Sequence, residues 1–262
     1  MKSRSIFLIC VISVLAGPLQ ADLPSTITKV KPSVVILGTY KTTNSPRFAL
    51  RGTGFVVGDA RQGTSNLVVT NAHVLQQANE ADALTALVIQ IKTPQNELQM
   101  RPAEVLEVDK IHDLALLRFD GPAAPALNVG DSGAVQEGQA IAFMGFPIGG
   151  ALGFSPVTHR GTVSSIAAAA LPTPSAQQLN EKTIRGLRTG SFNIFQLDGT
   201  AYPGNSGGPL FDPETGEVLG VVNMVFIKGS RESALSNPSG ISFAIPSTFI
   251  LQLVKRNRTS GD

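Results

Sequence analysis

Apolar residues along this chain fall in short runs rather than at helical spacing. After a short amphipathic piece ending at Lys31-Pro32, the runs SVVILGTY, GTGFVVG, NLVVTNAHV, ALVIQIK and EVLEVDKIHDLALLRF follow one another closely. Each is rich in β-branched or alternating apolar residues and is bounded by turn formers, the pattern of a strand. GPAAPALNVGDSG, residues 121–133, is poor in strand formers and reads as a linker. A second series begins at Gln139 with QAIAFMGFP, RGTVSSI, SFNIFQLDG, GGPLFD, EVLGVVNMVF and GISFAIP. Ser247 then stands as the N-cap of a short amphipathic helix, TFILQLVKRN. Two sets of short strands with no long helix between them predict an all-β chain of two packed antiparallel units, residues 22–130 and 131–262. AAAALPTPSAQQ and PIGGALG read as surface loops. The glycines of GTGFVVG are wrongly spaced for a dinucleotide fingerprint, and no helix follows, so strand is the better reading.

The N-terminal run breaks this pattern. Lys2 and Arg4 precede an apolar stretch from Ile6 to Ala16, too short to span a bilayer easily. With Leu19 and Ala21 before Asp22, residues 1–21 read as a secretory signal peptide. The chain is therefore expected to be exported, periplasmic or secreted, from a bacterium and without a stable membrane anchor. Cleavage would lower the formal charge from +2 to zero and remove Cys10, the single cysteine. That leaves no basic field for nucleic acid and no disulfide or thiol chemistry. The composition, with 26 glycines, 17 prolines, no tryptophan and 15% charged residues, also favours a turn-rich β protein.

YPGNSGGPL, residues 202–210, sets one serine among three glycines. A serine hydroxyl is a weak nucleophile at neutral pH and needs a positioned base, which in turn needs a carboxylate to hold its tautomer. The chain has three histidines: His73 at the end of an apolar strand run, His112 beside Asp113, and His159 in a polar loop. Each taken alone is more often structural than catalytic.

Their contexts separate them. ITKVKPSVV, GTGFVV, TNAHV, DLALL, GTVSSI, PGNSGGPL and ISFAIP, spread from Ile27 to Pro246, resemble the HtrA (DegP-like) branch of the trypsin-like serine proteases. The resemblance implies two six-stranded antiparallel Greek-key barrels with a cleft between them and a short terminal helix. It implies His73 as base, Asp113 as orienting carboxylate and Ser206 as nucleophile, acting on unfolded or damaged exported polypeptides through an acyl-enzyme. The backbone N–H groups of Gly204, Asn205 and Ser206 are candidates for an oxyanion hole, and glycine at 204 tolerates the dihedrals of such a turn. By the same resemblance the primary specificity pocket is built from Thr200 and Ala201, from Val221, Val222, Asn223, Met224 and Val225, and from Ile241. These are apolar walls without a carboxylate, which implies cleavage after small or medium aliphatic residues. Neither cofactor nor metal is called for, and a homotrimer is implied by the family alone.

The chain also departs from its relatives. Asn205 stands where zymogen-type relatives carry an aspartate that pairs with a newly cut N-terminus, so activation by internal cleavage is not expected. Sixteen residues follow Pro246, too few for the PDZ domains of many HtrA proteins, so a protease domain alone is expected. The alternative reading is a catalytically weak relative acting as a secreted binding or chaperone module. A glutamyl endopeptidase would need histidine or basic recognition in the pocket, and EVLGVVNMVF contains no histidine. His112 reads as a surface residue able to tune Asp113, and Asp198 as a stabiliser of the turn leading to Ser206.

Overall fold

The computed structural model describes residues 22–58, 63–79, 85–93, 95–147, 154–168, 192–223 and 240–260. The proposed signal peptide, Met224 and Val225 lie outside the described residues. The first barrel is closed by β1 (Val34–Lys41), β2 (Phe48–Val57), β4 (Leu67–Asn71), β5 (Thr85–Lys92), β6 (Leu98–Asp109) and β7 (Leu114–Phe119). Their order around the barrel is β1-β2-β4-β7-β6-β5. The second barrel runs β10-β11-β14-β13-β12-β9. It uses β9 (Ala140–Gly145), β10 (Val157–Ala168), β11 (Asn193–Asp198), β12 (Pro209–Phe211), β13 (Val218–Asn223) and β14 (Ile241–Pro246). Every pairing within the two barrels is antiparallel.

The runs are apolar on both faces because both faces are covered. Val35, Leu37, Val56, Val68, Ile89, Ile91, Ala115, Leu117 and Phe119 fill the interior of the first barrel. Residues one step along the same strands, Val34, Ile36, Phe55, Val57, Val69, Leu114 and Leu116, point the other way. They pack against Ala142, Met144, Phe146, Phe211, Val218, Val221 and Ile245 of the second barrel. Side chains alternate along a strand, so one continuous run supplies both a barrel core and the seam between barrels.

Four local differences from the sequence reading follow from tertiary contacts. EVLEVDKIHDLALLRF is two strands, β6 and β7, joined at Lys110–Asp113, where Asp113 has φ +51°. TNAHV turns from β4 directly into a helix, α2 (Ala72–Asn79), so His73 lies in its first turn. The linker contributes β8 (Ala124–Pro125), which pairs with β3 (Thr64–Ser65). Ser247 does not cap the C-terminal helix, α3 (Thr248–Ser260), with its side chain. Its hydroxyl donates to the Gly130 carbonyl at 2.7 Å, and Ser132 Oγ in the linker accepts from Thr248 N at 3.0 Å. The first helix, α1 (Leu23–Val30), is capped by Asp22, whose carboxylate accepts from Ser25 N. It lays Leu23, Ile27 and Val30 on the seam between the barrels.

Candidate active site

β4 and β7 are paired in a register that sets Asn71 opposite Leu114. His73, two residues beyond β4, and Asp113, one residue before β7, therefore emerge at the same end of the first barrel. His73 Nδ1 lies 2.6 Å from Asp113 Oδ2, and His73 N donates to Oδ1 at 2.8 Å. A third donor arrives from the second barrel, where Asn223 Nδ2 reaches Oδ2 at 2.7 Å. The Asp113 carbonyl accepts from Ala72 N and Asn71 Nδ2, each at 3.1 Å. These bonds hold Asp113 in a left-handed conformation that ordinarily costs a non-glycine residue about 1–3 kcal/mol. An ionised carboxylate can only accept, so Nδ1 carries the imidazole proton and Nε2 is left with a lone pair. Both side chains are 21% exposed, open enough for a reacting group to approach.

Ser206 sits in a loop of turns stitched to the second barrel and abutting β2 of the first. Asn205 N donates to Tyr202 O at 2.9 Å, closing a turn with Pro203 and then Gly204 at its centre. Gly204 has φ +105°, which with Pro203 before it defines a type II turn. Gly207, at φ +84°, donates to Val222 O, and Val222 N returns a bond to Gly208 O. The Ser206 carbonyl accepts from Thr53 N of β2 at 2.9 Å. Among the described residues, the N–H groups of Gly204 and Ser206 have no hydrogen-bond partner. The Asn205 N–H, a candidate hole donor from the sequence, is instead committed to the turn and is not available to a substrate. No hydrogen bond joins Ser206 Oγ to His73 among the described residues, and such catalytic bonds often tighten only with substrate in place.

The pocket residues separate into two groups. Ile241 is 42% exposed, Thr200 is half-buried, and Ala201 is buried with its N–H donating to Ser242 Oγ at 2.7 Å. Val221 and Val222 are fully buried, Val221 in the seam between the barrels and Val222 in the second barrel's core. Asn223 is also fully buried, with its amide on Asp113. Sequence reasoning missed this bond. The available signal was a polar residue ending the apolar run VLGVVN.

The other two histidines have structural surroundings. His112 is not a surface residue. Its Nδ1 lies 2.8 Å from Asp109 Oδ2, and its ring stacks on Phe249 of α3 at 3.8 Å. His159 stacks on Phe143 at 4.7 Å, and Asn205 Nδ2 lies 3.3 Å from its Nε2, so this amide donates to a neutral imidazole. Burial pushes the His159 pKa below its ordinary value of 6.5. The unfolded chain then binds more protons than the folded one between the folded pKa and 6.5, so stability falls as pH drops through that window. Each tenfold weakening of proton affinity is worth about 1.4 kcal/mol. Urea unfolding from about pH 7.5 to pH 5 should show this loss in the parent and a smaller loss in His159→Phe. Equal pH slopes in the two chains would refute it.

Two antiparallel barrels with a histidine–carboxylate pair and a serine loop at their junction have the chymotrypsin-like architecture. The chain belongs to the trypsin-like peptidase domain family, which it matches over residues 52–221. It is 29% identical over 80% of its length to a probable periplasmic serine endoprotease, DegP-like, of Halomonas elongata, covering 35% of that protein. It is 30% identical over 88% of its length to serine protease HTRA1A of Danio rerio, covering 40% of that protein. The chain thus spans well under half the length of these relatives. Among solved structures it resembles Deg5, with a TM-score of 0.62 and 23% identity over 87% of this chain and 90% of that one. The HtrA-type protease AlgW with a decapeptide gives 0.65 and 21% over 92% of this chain and 69% of that one.

Proposed function

We propose that this chain is a serine endopeptidase in which Ser206 attacks the scissile carbonyl while His73 Nε2 takes its proton. Asp113 holds the imidazole and stabilises the imidazolium that forms. The unpaired N–H groups of Gly204 and Ser206 receive the oxyanion of the tetrahedral intermediate. His73 then returns its proton to the leaving amine, and water hydrolyses the acyl-enzyme by the same path. The observation that supports this reading most directly is the His73–Asp113 pair, with a third donor from Asn223, beside a turn carrying two partnerless N–H groups. The names of several relatives support action on polypeptides in an exported compartment. Among the described residues no helix is long and apolar enough to cross a membrane. Assembly as a homotrimer belongs to the same reading and rests on resemblance.

Substrate preference follows from the pocket walls. Thr200, Ala201 and Ile241 include no carboxylate to neutralise a lysine or arginine, while Val222 is buried in the barrel core and Asn223 is engaged with Asp113. Desolvating an unpaired cation there costs several kcal/mol, whereas each matched methylene gains about 0.8 kcal/mol. Digesting an unfolded protein such as reduced casein and sequencing the new termini should show cleavage after Val, Ala, Ile or Leu. Dominant cleavage after Lys, Arg or Glu would reject the pocket assignment. An absence of new termini, with the chain folded, would favour the binding-module alternative.

A further inference from the structure

We propose that Thr53, in the middle of β2, is a positioning residue that sets the two candidate oxyanion donors in register across the barrel interface. This rests on the serine peptidase reading above. Thr53 is fully buried, and all four of its polar contacts are made within the protein. Its Oγ1 lies 2.6 Å from Gly204 O and accepts from Phe146 N at 3.0 Å. A hydroxyl has one proton, and the Phe146 N–H must occupy a lone pair, so the O–H points at Gly204 O. The Thr53 N–H donates to Ser206 O at 2.9 Å, and Thr70 Oγ1 donates to Thr53 O at 2.7 Å.

The consequence lies in which peptide groups this threonine grips. The Gly204–Asn205 peptide is held at both ends, its oxygen by Thr53 Oγ1 and its N–H by Tyr202 O. The Ser206–Gly207 peptide is also held at both ends, its oxygen by Thr53 N and its N–H by Val222 O. The two partnerless N–H groups, on Gly204 and Ser206, belong to the peptides that directly precede these two. One residue of the first barrel thus fixes the neighbours of both donors, although all the donors belong to the second. Thr53 touches no substrate atom in this scheme. It acts through the Gly204 and Ser206 carbonyls.

The backbone bond to Ser206 survives any substitution other than proline, so the side chain isolates the Gly204 grip. Thr53→Val keeps the shape but orphans Gly204 O and Phe146 N, both in a buried site. Thr53→Ser keeps both bonds. Misplacing a reacting group by about 1 Å can cost about 10²-fold in rate. For the full chain cleaving a peptide with an aliphatic residue before the scissile bond, Thr53→Val should lower kcat by roughly 30-fold with KM within about twofold. Thr53→Ser should recover kcat to within about threefold of the parent. If valine prevents folding, the near-isosteric pair Thr53→Cys and Thr53→Ser carries the same comparison, because a thiol is a weak donor. An undiminished kcat in Thr53→Val, an equal loss in serine and valine (or in serine and cysteine), or a loss confined to KM would each overturn the role. A folded parent that neither cleaves nor labels with a fluorophosphonate would instead overturn the peptidase reading beneath it.

Discussion

Ser206→Ala and His73→Ala are each expected to abolish peptide-bond cleavage, with a fall in kcat on the order of 10⁶, while the chain stays folded. The members of such a constellation act as a unit, so the double variant should be scarcely worse than either single one. Folding should be spared for reasons visible at each position. The Ser206 hydroxyl has no hydrogen-bond partner among the described residues, so alanine orphans nothing. When the imidazole is removed, the Asp113 carboxylate keeps the Asn223 amide and the backbone N–H of residue 73. Casein cleavage, thermal unfolding and covalent labelling by a fluorophosphonate should be measured together. The parent alone should label, because only an activated serine attacks phosphorus at a useful rate. Parent-like cleavage by Ser206→Ala would reject the mechanism outright.

Gly204→Ala should lower kcat by about 10²–10³-fold, the usual effect of losing one preorganised oxyanion donor. The cause is steric and conformational together. A Cβ at this position would lie 2.1 Å from the Phe146 carbonyl oxygen, and φ +105° is a conformation that alanine resists. The least costly escape is rotation of the Pro203–Gly204 peptide towards a type I turn, which carries the 204 N–H away from its present direction. KM should change little, because the exposed pocket wall at Ile241 is untouched. Full activity in a folded Gly204→Ala chain would show that this N–H is not a donor in the reaction. Gly207→Ala makes a useful contrast. Its Cβ would lie 2.1 Å from Thr53 O and 2.2 Å from Thr70 Oγ1, so it should damage folding as well as rate.

The division between what was readable along the chain and what was not is clearest in β2, β13 and the start of α3. The runs GTGFVV and EVLGVV announce strands because β-branched residues and bounding glycines act within a few positions of one another. The turn at Ser206 is legible for the same reason: Pro203 and Gly204 in sequence favour a tight turn, one by its fixed φ and the other by its freedom at positive φ. His73, Asp113 and Ser206 could be singled out because their motifs are local, and the resemblance supplied their roles. The partner of each polar group across the seam was not legible. Thr53 looked like an ordinary strand residue, yet its hydroxyl meets Gly204, 151 positions later. Asn223 looked like a pocket wall, yet its amide meets Asp113, 110 positions earlier. Ser247 looked like a helix cap until Gly130 claimed its hydroxyl and Ser132 took over at Thr248. A buried donor or acceptor must be satisfied, but which group satisfies it depends on which surfaces meet when the two barrels close. Periodicity and turn chemistry are properties of neighbouring residues. The bonds that hold Gly204 and Asp113 come from segments brought together only by packing.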